Sequence, residues 1–361
     1  MKIAFFGSSL VSSYWNGAAT YYRGLLKALA AFGHDITFYE PDAFERQQHR
    51  DIADPPWARV VVYPATLDGC HSALDEAACS ADLIAKASGI GVFDEELATA
   101  IPDLAGPRRI IVYWDVDAPA TLQSMTQDPR HHLRAVIPHY DCVFTYGGAS
   151  PVVSRYLAFG ARRCIPIYNA LDPSTHFPVL ACPEFRCDLG FLGNRLPDRE
   201  PRVEEFLLRP ARLLPDCEFL LGGAGWDDKR LPSNVRCIGH VGTVRHNAFF
   251  CSGLATLNIN RKSMAEFGYS PPTRIFEAAG ATACIITDAW AGIEQFLEPG
   301  REILVAQNGD AVAAILRRLS NGDAARIGAA ARARVLSEHT YAHRAREVIR
   351  VLDMMTHSEA A

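Results

Sequence analysis

The feature that most restricts the fold of this chain is an alternation that runs its course twice. Short runs of β-branched and aromatic residues recur at Ile3-Phe6, Ile36-Tyr39, Val60-Tyr63, Leu83-Lys86, Ile110-Tyr113, Cys142-Tyr146 and Cys164-Ile167, with helical stretches between most of them. After a turn-rich passage from Tyr168 to Pro183, whose prolines resist continued helix or sheet, the pattern restarts. The second set is Cys187-Leu192, Glu218-Leu221, Val235-Ile238, Ala255-Ile259, Cys284-Thr287 and Ile303-Val305. Strands alternating with helices imply a parallel sheet covered on both faces. Two doubly wound α/β domains are therefore expected, and 361 residues suit two cores better than one.

Local signals agree. Tyr22, Leu25, Leu26 and Leu29 recur at helical spacing after Asn16-Gly17, which puts Asn16 in position to cap the helix. From Asp310 to Met355 the sequence reads as three helical segments, the last with Tyr341, Ala345, Val348, Ile349 and Leu352 on one apolar stripe.

Composition narrows the function classes. Hydrophobic residues make up 49% and charged residues 21%, enough apolar surface for a core in each domain. The net charge of −5, without a basic face in either half, argues against a nucleic-acid partner. The Arg108-Arg109 and Arg162-Arg163 pairs read as solvated surface, so membrane contact is not expected. Ten scattered cysteines without a CxxC pair read as reduced thiols, and no run of 18 apolar residues or charged leader occurs. A cytoplasmic location is the expectation. Oligomeric state is not legible.

In open α/β sheets ligands sit at the carboxyl ends of the strands, so the loops there are the candidate sites. Four stand out. The loop Gly7 to Gly17 leads into a helix N-terminus and could hold a phosphate or, through Ser8, Ser9, Asn16 and Gly17, a hydroxylated acceptor, or is a flexible polar turn without a ligand; it has neither GxGxxG nor GxxxxGK[ST]. Lys86-Ala87-Ser88-Gly89 offers a cation, a hydroxyl and close backbone approach at Lys86, Ser88 and Gly89, or is a plain turn. Asp115 and Asp117 follow the run Ile110-Tyr113. Asp117 is the preferred general base for an acceptor hydroxyl with Asp115 as its support, helix capping by Asp117 being the alternative.

The fourth combines Asn258-Ile259-Asn260-Arg261-Lys262 with a Pro-initiated helix carrying Arg274 and Glu277 one turn apart. Cations near a helix N-terminus suit a diphosphate, and a carboxylate can accept two hydrogen bonds from vicinal ribose hydroxyls. A helix-surface ion pair between Arg274 and Glu277 is the plainer alternative and would contribute little.

With these residues in view, the sequence resembles the spore maturation protein CgeB family of GT-B glycosyltransferases. The resemblance rests on Asp188-Leu189-Gly190-Phe191-Leu192-Gly193-Asn194-Arg195, Arg274-Ile275-Phe276-Glu277, Ala291-Gly292-Ile293-Glu294-Gln295-Phe296 with Arg301-Glu302-Ile303-Leu304-Val305, and His339-Thr340-Tyr341. It extends more loosely to Lys86-Ala87-Ser88-Gly89 and Asp115-Val116-Asp117-Ala118-Pro119. It implies a GT-B fold of two Rossmann-like domains facing a cleft: an acceptor domain at 1–170, a linker at 171–185, a nucleotide-sugar domain at 186–340, and a C-terminal helix and tail at 341–361.

It also implies a nucleoside diphosphate sugar donor, of the UDP or GDP kind, held without a metal or other cofactor. Gly193 and Arg195 would face its phosphates, Glu277 its ribose, and Gly292, Ile293 and Glu294 would form a loop over it. Arg195, Arg261, Lys262 and Arg274 form the pool of cations for the leaving group. The broader retaining group has two glutamates separated by seven residues, yet Tyr269 stands where the first would be, and Glu266 is out of register. The expected activity is transfer of a hexose-like sugar to a hydroxylated small molecule or glycan. A nucleotide-sugar epimerase of the same fold and a non-catalytic nucleotide-sugar-binding protein are the alternatives.

Overall fold

The structure is a computed structural model that describes residues 1–106 and 109–358. Arg108, expected on the surface, lies outside the described residues, as does the end of the tail beyond 358. The chain divides into two compact units. Met1–Asn169 with the segment from Tyr341 onward make the first, and Ala170–Thr340 the second.

Among the described residues, the first unit holds seven strands: β1 (Lys2–Phe6), β2 (Asp35–Asp42), β3 (Ala58–Pro64), β4 (Leu83–Ala87), β5 (Ile110–Asp115), β6 (Cys142–Thr145) and β7 (Cys164–Pro166). They form one sheet in the order β3-β2-β1-β4-β5-β6-β7, every neighbouring pair parallel. The order reverses direction between β1 and β4, the position where such sheets open a ligand crevice at their carboxyl edge. Alternate residues of β1 fix the core: the Phe5 ring meets Phe38 at 5.6 Å, Tyr22 at 5.4 Å and Trp114 at 5.5 Å between centroids.

Helix Ala19–Ala31 buries Tyr22, Leu25, Leu26 and Leu29, the face that the periodicity predicts. Its N-terminus differs from expectation, because Ala18 occupies the cap position with no side-chain cap. Asn16 instead ties the preceding loop together: it accepts from Ser8 Oγ at 2.9 Å and donates to the carbonyls of Ser9 and Ser12 at 2.8 and 3.0 Å. The C-terminal helix Tyr341–Ser358 packs on the same helix. A methyl on Gly24 would lie 2.1 Å from the Tyr341 ring, so the glycine makes room for it.

Arg109 also departs from the surface role expected of it. Its guanidinium donates to the carbonyls of Ala78, Ala81 (3.1 Å) and Leu104 (2.7 Å), which closes the carboxyl ends of helices Leu67–Ser80 and Asp94–Asp103.

The second unit holds β8 (Cys187–Leu192), β9 (Phe219–Gly222), β10 (Val235–Gly239), β11 (Gly253–Asn258), β12 (Ile285–Asp288) and β13 (Leu304–Ala306). Their order is β10-β9-β8-β11-β12-β13, again all parallel, with the reversal between β8 and β11. Leu189, Phe191, Leu257 and Ile286 project from its strands into one core with Phe206, Leu207, Val312 and Ile327 from the covering helices. No helix among the described residues is long and apolar enough to cross a membrane.

Candidate functional site

The carboxyl edge of the second sheet brings two guanidinium groups to one glycine. A methyl on Gly193, just past β8, would lie 3.1 Å from Arg274 Nη2 and 3.3 Å from Arg199 Nη1. The bare Cα of the glycine is therefore what lets both cations approach. Arg274, on helix Thr273–Gly280, is anchored by donating from Nη1 to Asn258 Oδ1 at 3.1 Å and lies over the Phe191 ring. Burial, followed by the charge of Arg199, lowers its pKa to about 10. Arg199 donates from Nη1 to Asn194 O at 3.0 Å, its Nε is buried without a hydrogen-bond partner, and burial lowers its pKa. Two like charges held together in a desolvated place favour an anion between them.

Glu277 sits one turn along the same helix and is half-buried. It does not pair with Arg274: its Oε1 lies 4.0 Å from Nε2 of the buried His176. The adjoining loops interlock. Tyr269 adopts φ 49° and donates its N–H to Ala291 O at 2.6 Å, while its ring fills the space beside Gly292, where a methyl would lie 2.2 Å away. Gly292 itself has φ 89°, Ile293 is buried and Glu294 is exposed.

The other expected cations are occupied. Arg195 forms a two-pronged pair with Glu200 at 2.7 and 2.9 Å and reaches Asp228 at 2.6 Å. Arg261 donates to Asp198 at 2.8 Å, and the exposed Lys262 lies 3.7 Å from Glu266. Arg195, expected to face the donor phosphates, has its guanidinium directed into Glu200 and, from the loop after β9, into Asp228.

At the carboxyl edge of the first sheet the polar side chains hold one another. Asp115 is fully buried, and Oδ1 accepts from Ser88 Oγ (2.8 Å), the Asp117 N–H (2.9 Å) and Thr121 Oγ1 (3.1 Å), while Oδ2 accepts from the Tyr156 hydroxyl. Such a carboxylate, fully buried and bonded to four donors, acts by fixing the loop. Asp117 stands half-buried at the start of helix Ala118–Gln127, with no side-chain cap bond. Lys86 is buried and paired with Asp94 at 2.6 Å. Burial lowers its pKa, and the Asp94 charge opposes this.

Ser9 Oγ donates to the buried Glu40 at 2.9 Å, and Ser88 Oγ accepts from the Val116 N–H at 2.9 Å. Ser8, Ser9, Asn16, Lys86 and Ser88, the residues expected to meet an acceptor, are thus tied to one another and to neighbouring polar groups at this edge. Gly17 and Gly89 are open, with nothing within 4 Å of an added methyl.

Against this geometry stand the comparisons with known proteins. The chain superimposes on the sucrose-phosphate synthase of Thermosynechococcus elongatus with a TM-score of 0.74 at 14% identity, covering 99% of this chain and 100% of that one. Anabaena HepE, solved in complex with UDP and glucose, gives a TM-score of 0.65 at 15% identity, over 98% of this chain and 100% of that one. An alpha-glucosyltransferase in complex with UDP and a 13-mer DNA containing an HMU base gives 0.69 at 11% identity, covering 99% of each chain. The fold is that of the GT-B glycosyltransferases.

Within this GT-B chain, residues 199–350 match the family model described as "Glycosyl transferase-like". The match begins at Arg199 and includes Arg274 and Glu277. No curated protein matches the sequence. Of the residues expected at this edge, the structure brings Gly193 and Arg274 together, with Glu277 one turn along the helix, and adds Arg199, which the sequence reading did not include. The available signal was its spacing, since Arg199 stands six residues after Gly193 at the entry to a short helix, Glu200–Val203.

Proposed function

We propose that this protein is a glycosyltransferase that moves a sugar from a nucleoside diphosphate donor to a hydroxylated acceptor. The observation that carries the reading is the convergence of Arg199 and Arg274 on Gly193 at the reversal point of the second sheet. Here the donor diphosphate lies over Gly193, and the two guanidinium groups stabilise the negative charge that grows on the leaving nucleoside diphosphate. Glu277, on the same helix as Arg274, accepts hydrogen bonds from the ribose. The loop of Gly292, Ile293 and Glu294 lies over the donor.

The donor base is uracil in this reading, supported by UDP in HepE and in the alpha-glucosyltransferase. Transfer requires no metal, because two arginines supply the positive charge. The narrower kinship with the CgeB-like enzymes is part of the same proposal and is supported by the sequence motifs around Gly193, Glu277 and Gly292.

The acceptor is taken at the carboxyl edge of the first sheet, where Asp117 removes the proton of its hydroxyl. Asp115 supports this step by holding the Asp117 backbone N–H at 2.9 Å. A hydroxylated small molecule or glycan suits the edge better than a nucleic acid, since the net charge is −5.

The test is incubation of the purified protein with UDP-hexoses, with and without a panel of sugar and polyol acceptors. Acceptor-dependent release of UDP is the expected result. Epimerised donor formed without an acceptor would replace this reading with an epimerase, and binding without turnover across the panel would leave a non-catalytic binding protein.

A further inference from the structure

Three ligating side chains meet in the second unit beside the phosphate edge. One ring nitrogen from each of His176 and His246 and one carboxylate oxygen of Glu277 all lie within 4.8 Å of one another. They come from three separate elements: the loop around Ser174, the start of helix His246–Ser252, and helix Thr273–Gly280. These elements are fastened together. Asn247 Nδ2 donates to Thr175 O at 2.9 Å, and its Oδ1 accepts from the Phe177 N–H at 3.3 Å, which staples the His176 loop to the His246 helix. Gly280 approaches the same loop so closely that a methyl there would lie 2.9 Å from His176 O.

The ring hydrogen bonds orient the two imidazoles. Val241 O can only accept, so His246 Nε2, 3.2 Å away, carries the proton and Nδ1 is left with a bare lone pair. That Nδ1 is buried and has no hydrogen-bond partner. His176 Nδ1 meets Thr175 Oγ1 at 3.0 Å, while its Nε2 is the atom 4.0 Å from Glu277.

We propose that His176, His246 and Glu277 form a site for a divalent transition-metal ion of the zinc type. Such ions take imidazole nitrogen and carboxylate oxygen at about 2.0–2.2 Å, which brings tetrahedral ligands to about 3.4 Å from one another. Side-chain rotation that draws the three ligands together by up to about 1.4 Å completes the set and leaves a fourth position for water. A ring whose second nitrogen is fixed by a carbonyl or hydroxyl is the arrangement that orients metal-ligating histidines. The ion also satisfies the lone pair on His246 Nδ1, which nothing in the protein does. Since the proposed function gives Glu277 to the ribose, ion and nucleotide compete for one carboxylate. That competition rests on the proposed function; the metal site does not.

The experiment is titration of the full chain with Co²⁺, followed by visible absorption. One saturable equivalent with d–d bands and no thiolate-to-cobalt charge-transfer band is expected, which separates this site from the ten cysteines. Affinity should fall at least tenfold in His246→Asn, His176→Asn and Glu277→Gln, and remain unchanged in His240→Ala, an exposed position. Absence of saturable binding, thiolate bands, or undiminished affinity in those three variants with native circular dichroism would overturn the site. The wild-type spectrum decides even if one variant fails to fold. Added UDP should displace the cobalt. Cobalt retained while UDP binds would keep the metal site and remove Glu277 from the ribose.

Discussion

Arg274 is held by Asn258: its Nη1 donates to Asn258 Oδ1 at 3.1 Å, which fixes the guanidinium at the end of β11 and leaves Nη2 directed at Gly193. The anchor ends β11 and the target lies just past the neighbouring strand β8, so the cation is positioned before any ligand arrives. Preorganisation of this kind lowers the ordering cost of binding.

Arg199→Ala and Arg274→Ala are each expected to weaken UDP binding. Loss of a charged hydrogen-bond partner costs about 1.5–3 kcal/mol, roughly a tenfold to 150-fold rise in Kd. Arg195→Ala should change it by less than about threefold, because its guanidinium is directed into Glu200 and Asp228. Calorimetric titration with UDP measures all three. An Arg195 effect as large as the other two would return that residue to the phosphate site.

Glu277→Ala should weaken donor binding by a similar amount, about 1.5–3 kcal/mol. Asp117→Asn should instead lower kcat with donor affinity nearly unchanged. Asp115→Ala has a different expected signature, since it strips the acceptor from several buried donors, each costing about 1–3 kcal/mol when left unsatisfied. Its melting temperature should fall well below that of Asp117→Asn. Comparable thermal stability in the two variants would contradict the scaffolding role given to Asp115.

Gly292 and Gly300 form a matched pair. Both have positive φ, 89° and 83°, but only at Gly292 does an added methyl strike a ring, 2.2 Å from Tyr269, whereas Gly300 has nothing within 4 Å. Gly300→Ala should cost about 1 kcal/mol from backbone strain alone, and Gly292→Ala about 1–3 kcal/mol more. Differential scanning calorimetry on the two variants checks the difference. Equal losses would mean that Tyr269 yields freely.

His246 gives a pH prediction. Its folded-state pKa is lowered, chiefly by burial, so the unfolded chain binds the proton more readily. The associated stability is present above the unfolded pKa of about 6.5 and is lost as the pH falls through the lower folded value. Denaturant titrations from pH 8 to pH 5 should show wild type losing more stability than His246→Asn over the acidic part of that range. Parallel curves would assign the loss to other groups, His34 and His132 among them, whose pKa values are also lowered.

The amino-acid sequence by itself determined the thirteen strands of the described residues, the point where the alternation restarts, and the presence of Gly193, Arg274 and Glu277 near strand ends of the second sheet. Those are local properties: β-branched runs, helical spacing, and residue types at strand ends are written in consecutive residues. Only the tertiary structure decided which polar side chains are available. Arg195 is bound to Glu200 and Asp228, Lys86 to Asp94, and Asp115 to donors as far along the chain as Ser88 and Tyr156, while Arg199 and Arg274 converge on one glycine. The physical reason is that a charged group's partners are chosen by proximity in space and by burial, and a residue's spacing in sequence records neither.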